Sequence, residues 1–158
     1  MEWILGLLAI QEPMENLYKL NNLNKCMSVK DYTDLYPHYG DKCQMSIVGC
    51  EESNVYIDAC IQSVLIQACI NCTIFVAAVS KVCTIEKCEN TTIVVAGNVI
   101  RIGSCIDTLV NCYTPSYPPI VYGDTRNLRM GPHNAAYEKL TEHLVRAGIR
   151  FEQMYDDQ

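Results

Sequence analysis

An isoleucine recurs at Ile47, Ile66, Ile85, Ile102 and Ile120, each time three residues before a small residue: Cys50, Cys69, Cys88, Cys105 and Gly123. The steps between these small anchors are 19, 19, 17 and 18 residues. Five residues after the anchors come Val55, Ile74, Ile93, Val110 and Leu128; seven after come Ile57, Val76, Val95, Cys112 and Met130. Apolar residues at a spacing of two mark one face of a β-strand. A unit this short cannot bury that face alone, whereas stacked copies bury it continuously. The pattern therefore predicts an all-β fold, a parallel β-helix of about five rungs. It should be right-handed, as crossovers between parallel strands almost always are. An antiparallel sandwich is disfavoured by the near-constant period and by the lack of two-residue Gly hairpins. Asn71, Asn90 and Asp107 fall two residues after their anchors, where side chains that bond a turning backbone are favoured.

The two ends differ from the repeat. After the last rung, Asn134 reads as an N-cap and Gly148 as the residue past a helix end. Tyr137, Leu140 and Leu144 share one helical face. A capping helix over 134–148 is thus predicted to close the open end of the solenoid. Residues 1–44 carry no rung pattern and form a lead-in, with a remnant of a longer upstream region as one reading of it. Within it Leu17, Leu20 and Leu23 suggest a short helix, and Tyr32, Tyr36 and Tyr39 lie in a Pro- and Gly-marked loop, packing on the solenoid wall. The β-helix domain is expected to span 45–151, with a tail at 152–158.

Charge and cysteine usage narrow the function. A net charge of −6 with scattered basic residues argues against nucleic acid and against an anionic membrane. The apolar run from Trp3 to Ile10 is too short to span a bilayer and lacks the basic flank of a signal peptide, so an intracellular protein is expected. In that setting ten cysteines read as reduced, small apolar residues. Cys69-x-x-Cys72 and Cys83-x4-Cys88 resemble zinc spacings, but Cys69, Cys83 and Cys88 fall on inward positions, and no metal or other cofactor is expected. His38, His133 and His143 show no ligand spacing. Asp58, Glu86 and Asp107 do not share a rung position, which argues against carboxylate-pair chemistry on sugars.

The string PPIVYGDTRNLRMGPHNAAYEKLTEHLVRAGI, from Pro118 to Ile149, resembles the C-CAP/cofactor C-like domain family. Within it the pattern is most similar to the tubulin-binding cofactor C domain-containing protein 1 group. The resemblance covers Ile47 to Phe151 and implies a right-handed β-helix. It implies a non-catalytic cytoskeletal interaction module in the cytoplasm, acting in centrosome, spindle-pole or basal-body organisation, Golgi positioning and cell shape. The implied partner is a cytoskeletal or centrosomal protein, with tubulin or an Arf-like GTPase as candidates; actin binding ranks last.

Relatives that stimulate GTP hydrolysis carry an arginine in a Gly-Gln-Gln-x-Arg rung. The matching string here is Gly97-Asn98-Val99-Ile100-Arg101. The resemblance therefore makes Arg101 a candidate arginine finger, the role in which a guanidinium stabilises charge on a transferring phosphoryl group. Alternation between Ile100 and Ile102 points Arg101 outward. The supporting residues differ: Asn98 and Val99 replace the glutamines, and Tyr122 stands where active relatives have an acid. The interaction reading is accordingly preferred to the enzyme reading, with Asn98, Arg101, Tyr122 and Asp124 as the expected binding surface.

Overall fold

A computed structural model describes residues 16–149. The apolar run near the start and the tail at 152–158 lie outside the described residues. Nine strands and two α-helices follow in order: β1 Leu17–Lys19, β2 Met27–Asp31, α1 Tyr32–Tyr39, β3 Gln44–Val48, β4 Asn54–Gln67, β5 Thr73–Glu86, β6 Thr92–Gly103, β7 Leu109–Tyr113, β8 Ile120–Tyr122, β9 Arg129–Pro132 and α2 Leu140–Arg146. Every strand pair is parallel. The chain is a β-helix.

Stacking follows the sequence repeat. Ile47 pairs with Ile66, Ile66 with Ile85, and Ile85 with Ile102. All four are fully buried. Val55, Ile74, Ile93 and Val110 form a second in-register column. The anchors Cys50, Cys69, Cys88 and Cys105 line the inside of the tight corner and are at most 1% exposed. Each thiol reaches a carbonyl of the neighbouring turn: Cys50 Sγ to Leu20 O at 3.3 Å, and Cys69 Sγ to Ile47 O at 3.5 Å. All ten cysteines are free thiols. Burial pushes the Cys50 thiol up to about 11 and Cys83 to about 12, as expected where no cation offsets desolvation.

Each corner turns through two left-handed residues. One lies just before the anchor, as in Gly49, Ala68, Lys87 and Ser104; the other lies two after it, as in Glu52, Asn71, Asn90 and Asp107. Opposite the corner, the long strands bend at Ala59-Cys60, Ala77-Ala78 and Ala96-Gly97. The register shifts there: the offset between β5 and β6 falls from 19 residues at Val76–Val95 to 17 at Val82–Val99. The short step in the repeat is absorbed at this bend, and the isoleucine column stays aligned.

The ends depart from expectation. The N-terminal segment contains a further rung: β1 stacks on β3 and β2 on β4. Leu17 to Lys19 is thus strand, where a helix was expected, because Leu20 continues the isoleucine column and donates its N–H to Ser46 O. This rung escaped the pattern because the polar Ser28 and Lys30 occupy its inward positions and because α1 interrupts the period. Tyr32, Tyr36 and Tyr39 lie in α1, capped by Asp31, whose Oδ1 accepts from Thr33 N and Asp34 N. Tyr32 and Tyr36 stack on one another at 4.5 Å.

On the last rung, Val121, not Ile120, pairs with Ile102, and Met130, not Leu128, pairs with Val110. Asp124 is one residue more than the corner elsewhere contains, so the anchor position passes from Gly123 to Thr125. Val121 and Met130 remain 49% and 43% exposed. The C-terminal helix is shorter than 134–148. Its Leu144, with Ala147 and Ile149 just beyond it, packs on Ala78 and Ala96 at the bend. It covers the side wall of the solenoid. Its C-terminus is a Schellman motif with Gly148 at φ +69°: Gly148 N donates to Val145 O and Ile149 N to Leu144 O.

Candidate functional site

Arg101 lies on β6 between Thr84 of β5 and Ile120 of β8 in the stack. Its neighbours Ile100 and Ile102 point into the core, so alternation places its own side chain on the outer wall. Two positions along, Glu86, Gly103 and Tyr122 stack in register. The Tyr122 ring lies flat across Gly103. A Cβ at Gly103 would come within 2.2 Å of ring carbon Cε2. With that space empty, the Tyr122 hydroxyl reaches past the glycine and donates to Glu86 Oε1. The Arg101 guanidinium sits over the same ring, 5.1 Å from its centroid. Burial and then the bond to Glu86 hold the Tyr122 phenol above its ordinary value, with Arg101 opposing.

Among the described residues no carboxylate pairs with Arg101. Its donors therefore face solvent from a fixed aromatic platform, an arrangement suited to a carboxylate or phosphate on another molecule. Below Arg101, a shallow groove of about 250 Å³ runs along the same wall and includes Leu17, Ser46, Leu65 and Thr84. Ile120, 50% exposed, adds an apolar edge.

The other two expected residues lie elsewhere. Asn98 Nδ2 donates to Ser80 O at 2.9 Å and to Ala147 O at 3.2 Å, so it ties the helix end to the bend. Asp124 pairs with Arg126 at 3.0 Å, both carried on the exposed last corner. A pair this exposed contributes little to stability. Among the described residues no group of three or more His, Cys, Asp or Glu could hold a metal ion.

Residues 42–157 match the family model described as tubulin binding cofactor C. The chain belongs to the tubulin binding cofactor C family. It is 28% identical over 100 residues to TBCC domain-containing protein 1 of Danio rerio, covering 63% of this chain and 17% of that protein. The Bos taurus and Homo sapiens proteins of the same name are 27% and 25% identical over 100 residues, with 63% of this chain and 18% of each protein covered. The chain thus spans less than a fifth of the length of these relatives.

Within this tubulin binding cofactor C domain, sequence reasoning placed Arg101 and Tyr122 on one surface and missed Glu86 and Gly103. A signal existed: Gln67, Glu86 and Gly103 all fall two residues before their anchors. Tyr122 did not fit that series because the added Asp124 displaces the last anchor.

Proposed function

We propose that the chain is a non-catalytic interaction module of the cytoskeleton, which binds a partner protein along the wall carrying Arg101 and Tyr122. The observation that carries this reading is Arg101 itself: a cation held on the Tyr122–Glu86 pair, with no carboxylate of the described residues to satisfy it. A solenoid wall is a natural extended binding surface. The partner on this reading presents an acidic group, and tubulin is the first candidate because the family is described by tubulin binding. The unit that binds is the β-helix of 45–151 together with the strands Leu17–Lys19 and Met27–Asp31 stacked beneath it. Centrosome, spindle-pole or basal-body organisation, Golgi positioning and cell shape are the cellular roles proposed with it.

The test is binding of purified αβ-tubulin to the immobilised chain, comparing wild type with Arg101→Ala. At least tenfold weaker binding by the variant supports the reading; equal binding removes it. A tagged copy should concentrate at spindle poles or basal bodies in dividing cells.

A second reading is stimulation of GTP hydrolysis on tubulin or an Arf-like GTPase, with Arg101 as the finger. It is favoured by the support under the guanidinium, since a finger must be positioned before it can act. Single-turnover GTP hydrolysis separates the two readings: acceleration by wild type that Arg101→Ala abolishes selects the enzyme, and no acceleration selects the binding module.

A further inference from the structure

A second recess lies on the other outer wall, between the strands and the segment that leads into α2. It measures about 580 Å³ and is lined by Val29, Tyr56, Asp58, Phe75 and Tyr137 among others. Val29, Tyr56 and Phe75 stand in register on the stacked strands β2, β4 and β5. Tyr137 packs edge-on against Phe75 at 5.6 Å. Among the described residues Asp58 is the only charged one of the lining, and no lysine or arginine contributes.

The Asp58 side chain is 43% exposed at the recess, but its two oxygens differ. Its Oδ1 is buried and has no hydrogen-bond partner among the described residues. His143 Nδ1 stands 3.7 Å away and is engaged by the Tyr137 hydroxyl at 2.9 Å. His143 is buried and so favours its neutral form, and the half-exposed Asp58 carboxylate meets no lysine or arginine of the described residues. Asp31 lies beside Asp58 on the adjoining strand, with its carboxylate already used to cap α1. Arg146, the arginine of α2, is committed to Asp41 at 3.0 Å.

We propose that this recess receives the side chain of an arginine or lysine from a protein segment with apolar flanking residues. Aromatic rings attract a cation and accept its methylene stem, and a carboxylate supplies the charge-assisted hydrogen bond. A peptide is the fitting occupant because the recess opens onto Val29 and Met27, 57% and 66% exposed, which extend an apolar shelf beyond the space one side chain fills. Strand β2, which carries both, pairs only with β4, and none of the described residues pairs with its other edge, where a backbone could add. The site is independent of the Arg101 wall.

The test titrates the isotopically labelled 158-residue chain with acetyl-Leu-Arg-Leu-amide, acetyl-Leu-Glu-Leu-amide and choline, following backbone amide shifts. The arginine peptide should move Tyr56, Asp58, Phe75 and Tyr137 and bind at least tenfold more tightly than the glutamate peptide. Asp58→Asn should weaken it at least tenfold, and Val29→Lys, at an exposed position away from the core, should weaken it as well. Arg101→Ala should leave it unchanged. No shifts at these amides, equal binding of the two peptides, or full binding by Asp58→Asn and Val29→Lys would overturn the proposal. Choline binding as tightly as the arginine peptide would overturn the assignment to a protein segment.

Discussion

The phenol of Tyr122 donates to the carboxylate of Glu86 across an entire intervening turn, through the space that Gly103 leaves empty. The contact depends on a residue that contributes no atoms to it. Gly103→Ala would place a methyl group against the ring, and the ring, being near the free end of its side chain, would swing outward. The expected loss is one hydrogen bond to a charged group, about 1.5–3 kcal/mol at most, with the fold intact. Partner binding should fall as far as in Arg101→Ala, because the guanidinium loses its platform. Urea melts and tubulin binding, measured side by side, check both halves. A Gly103→Ala chain that binds normally would show that the platform is incidental.

Ala68 occupies a left-handed backbone conformation at φ +54°, the position Gly49 fills one corner earlier at φ +70°. A side chain there costs about 1–2 kcal/mol relative to a relaxed conformation. Glycine relieves this, though it gives the unfolded chain more freedom. Ala68→Gly should raise the urea midpoint by a fraction of that amount, whereas glycine at the core position Ala77 should lower it. The two substitutions remove the same methyl group, so the sign of the difference reports the corner geometry.

His143 is 3% exposed, and burial holds its pKa below the ordinary 6.5, only partly countered by Asp58. The unfolded chain therefore takes up the proton first as the pH falls. Stability linked to this group is complete above about pH 6.5 and is lost progressively below it. The urea midpoint should be lower at pH 5.5 than at pH 7.5, and His143→Gln should flatten the difference. His133, whose pKa burial also lowers, supplies a remaining slope in the same direction.

Arg146 joins elements far apart in sequence. Its Nε donates to Asp41 Oδ1 at 3.0 Å, and its guanidinium lies 4.7 Å from the Tyr32 ring centroid and 5.1 Å from that of Tyr36. Arg146→Ala should cost only about 1 kcal/mol, the scale of an exposed cation–π contact with an ion pair. Its effect should be local: amide exchange should quicken across residues 32–42 and leave the Ile66 and Ile85 strands unchanged.

Much of this architecture was legible because stacking imposes the same demand on every turn. Ile47, Ile66, Ile85 and Ile102 sit above one another, so each must be apolar and the repeat shows in the sequence. The demand relaxes at the ends. Ser28 and Lys30 could stand on inward positions of the first turn, and Asp124 could lengthen the last corner, and in both places the repeat ceased to be readable. The outward direction of Arg101 followed from alternation alone. The Tyr122–Glu86 contact did not, because it depends on a side chain spanning two turns over a third residue. Asn98, a polar residue three places from Arg101, looked like part of the same surface, but the bend turns it toward the C-terminal helix.

The shifting register at Ala77-Ala78 and Ala96-Gly97 has an evolutionary consequence. Residues can be gained or lost there without moving a single isoleucine out of line, since slack at that joint is taken up between small side chains. The corner beside the cysteines has no such slack, except on the last turn, above which none of the described residues stacks. Descendants of this chain are thus free to vary in length along the side where the helix docks, and are held to a fixed count along the other.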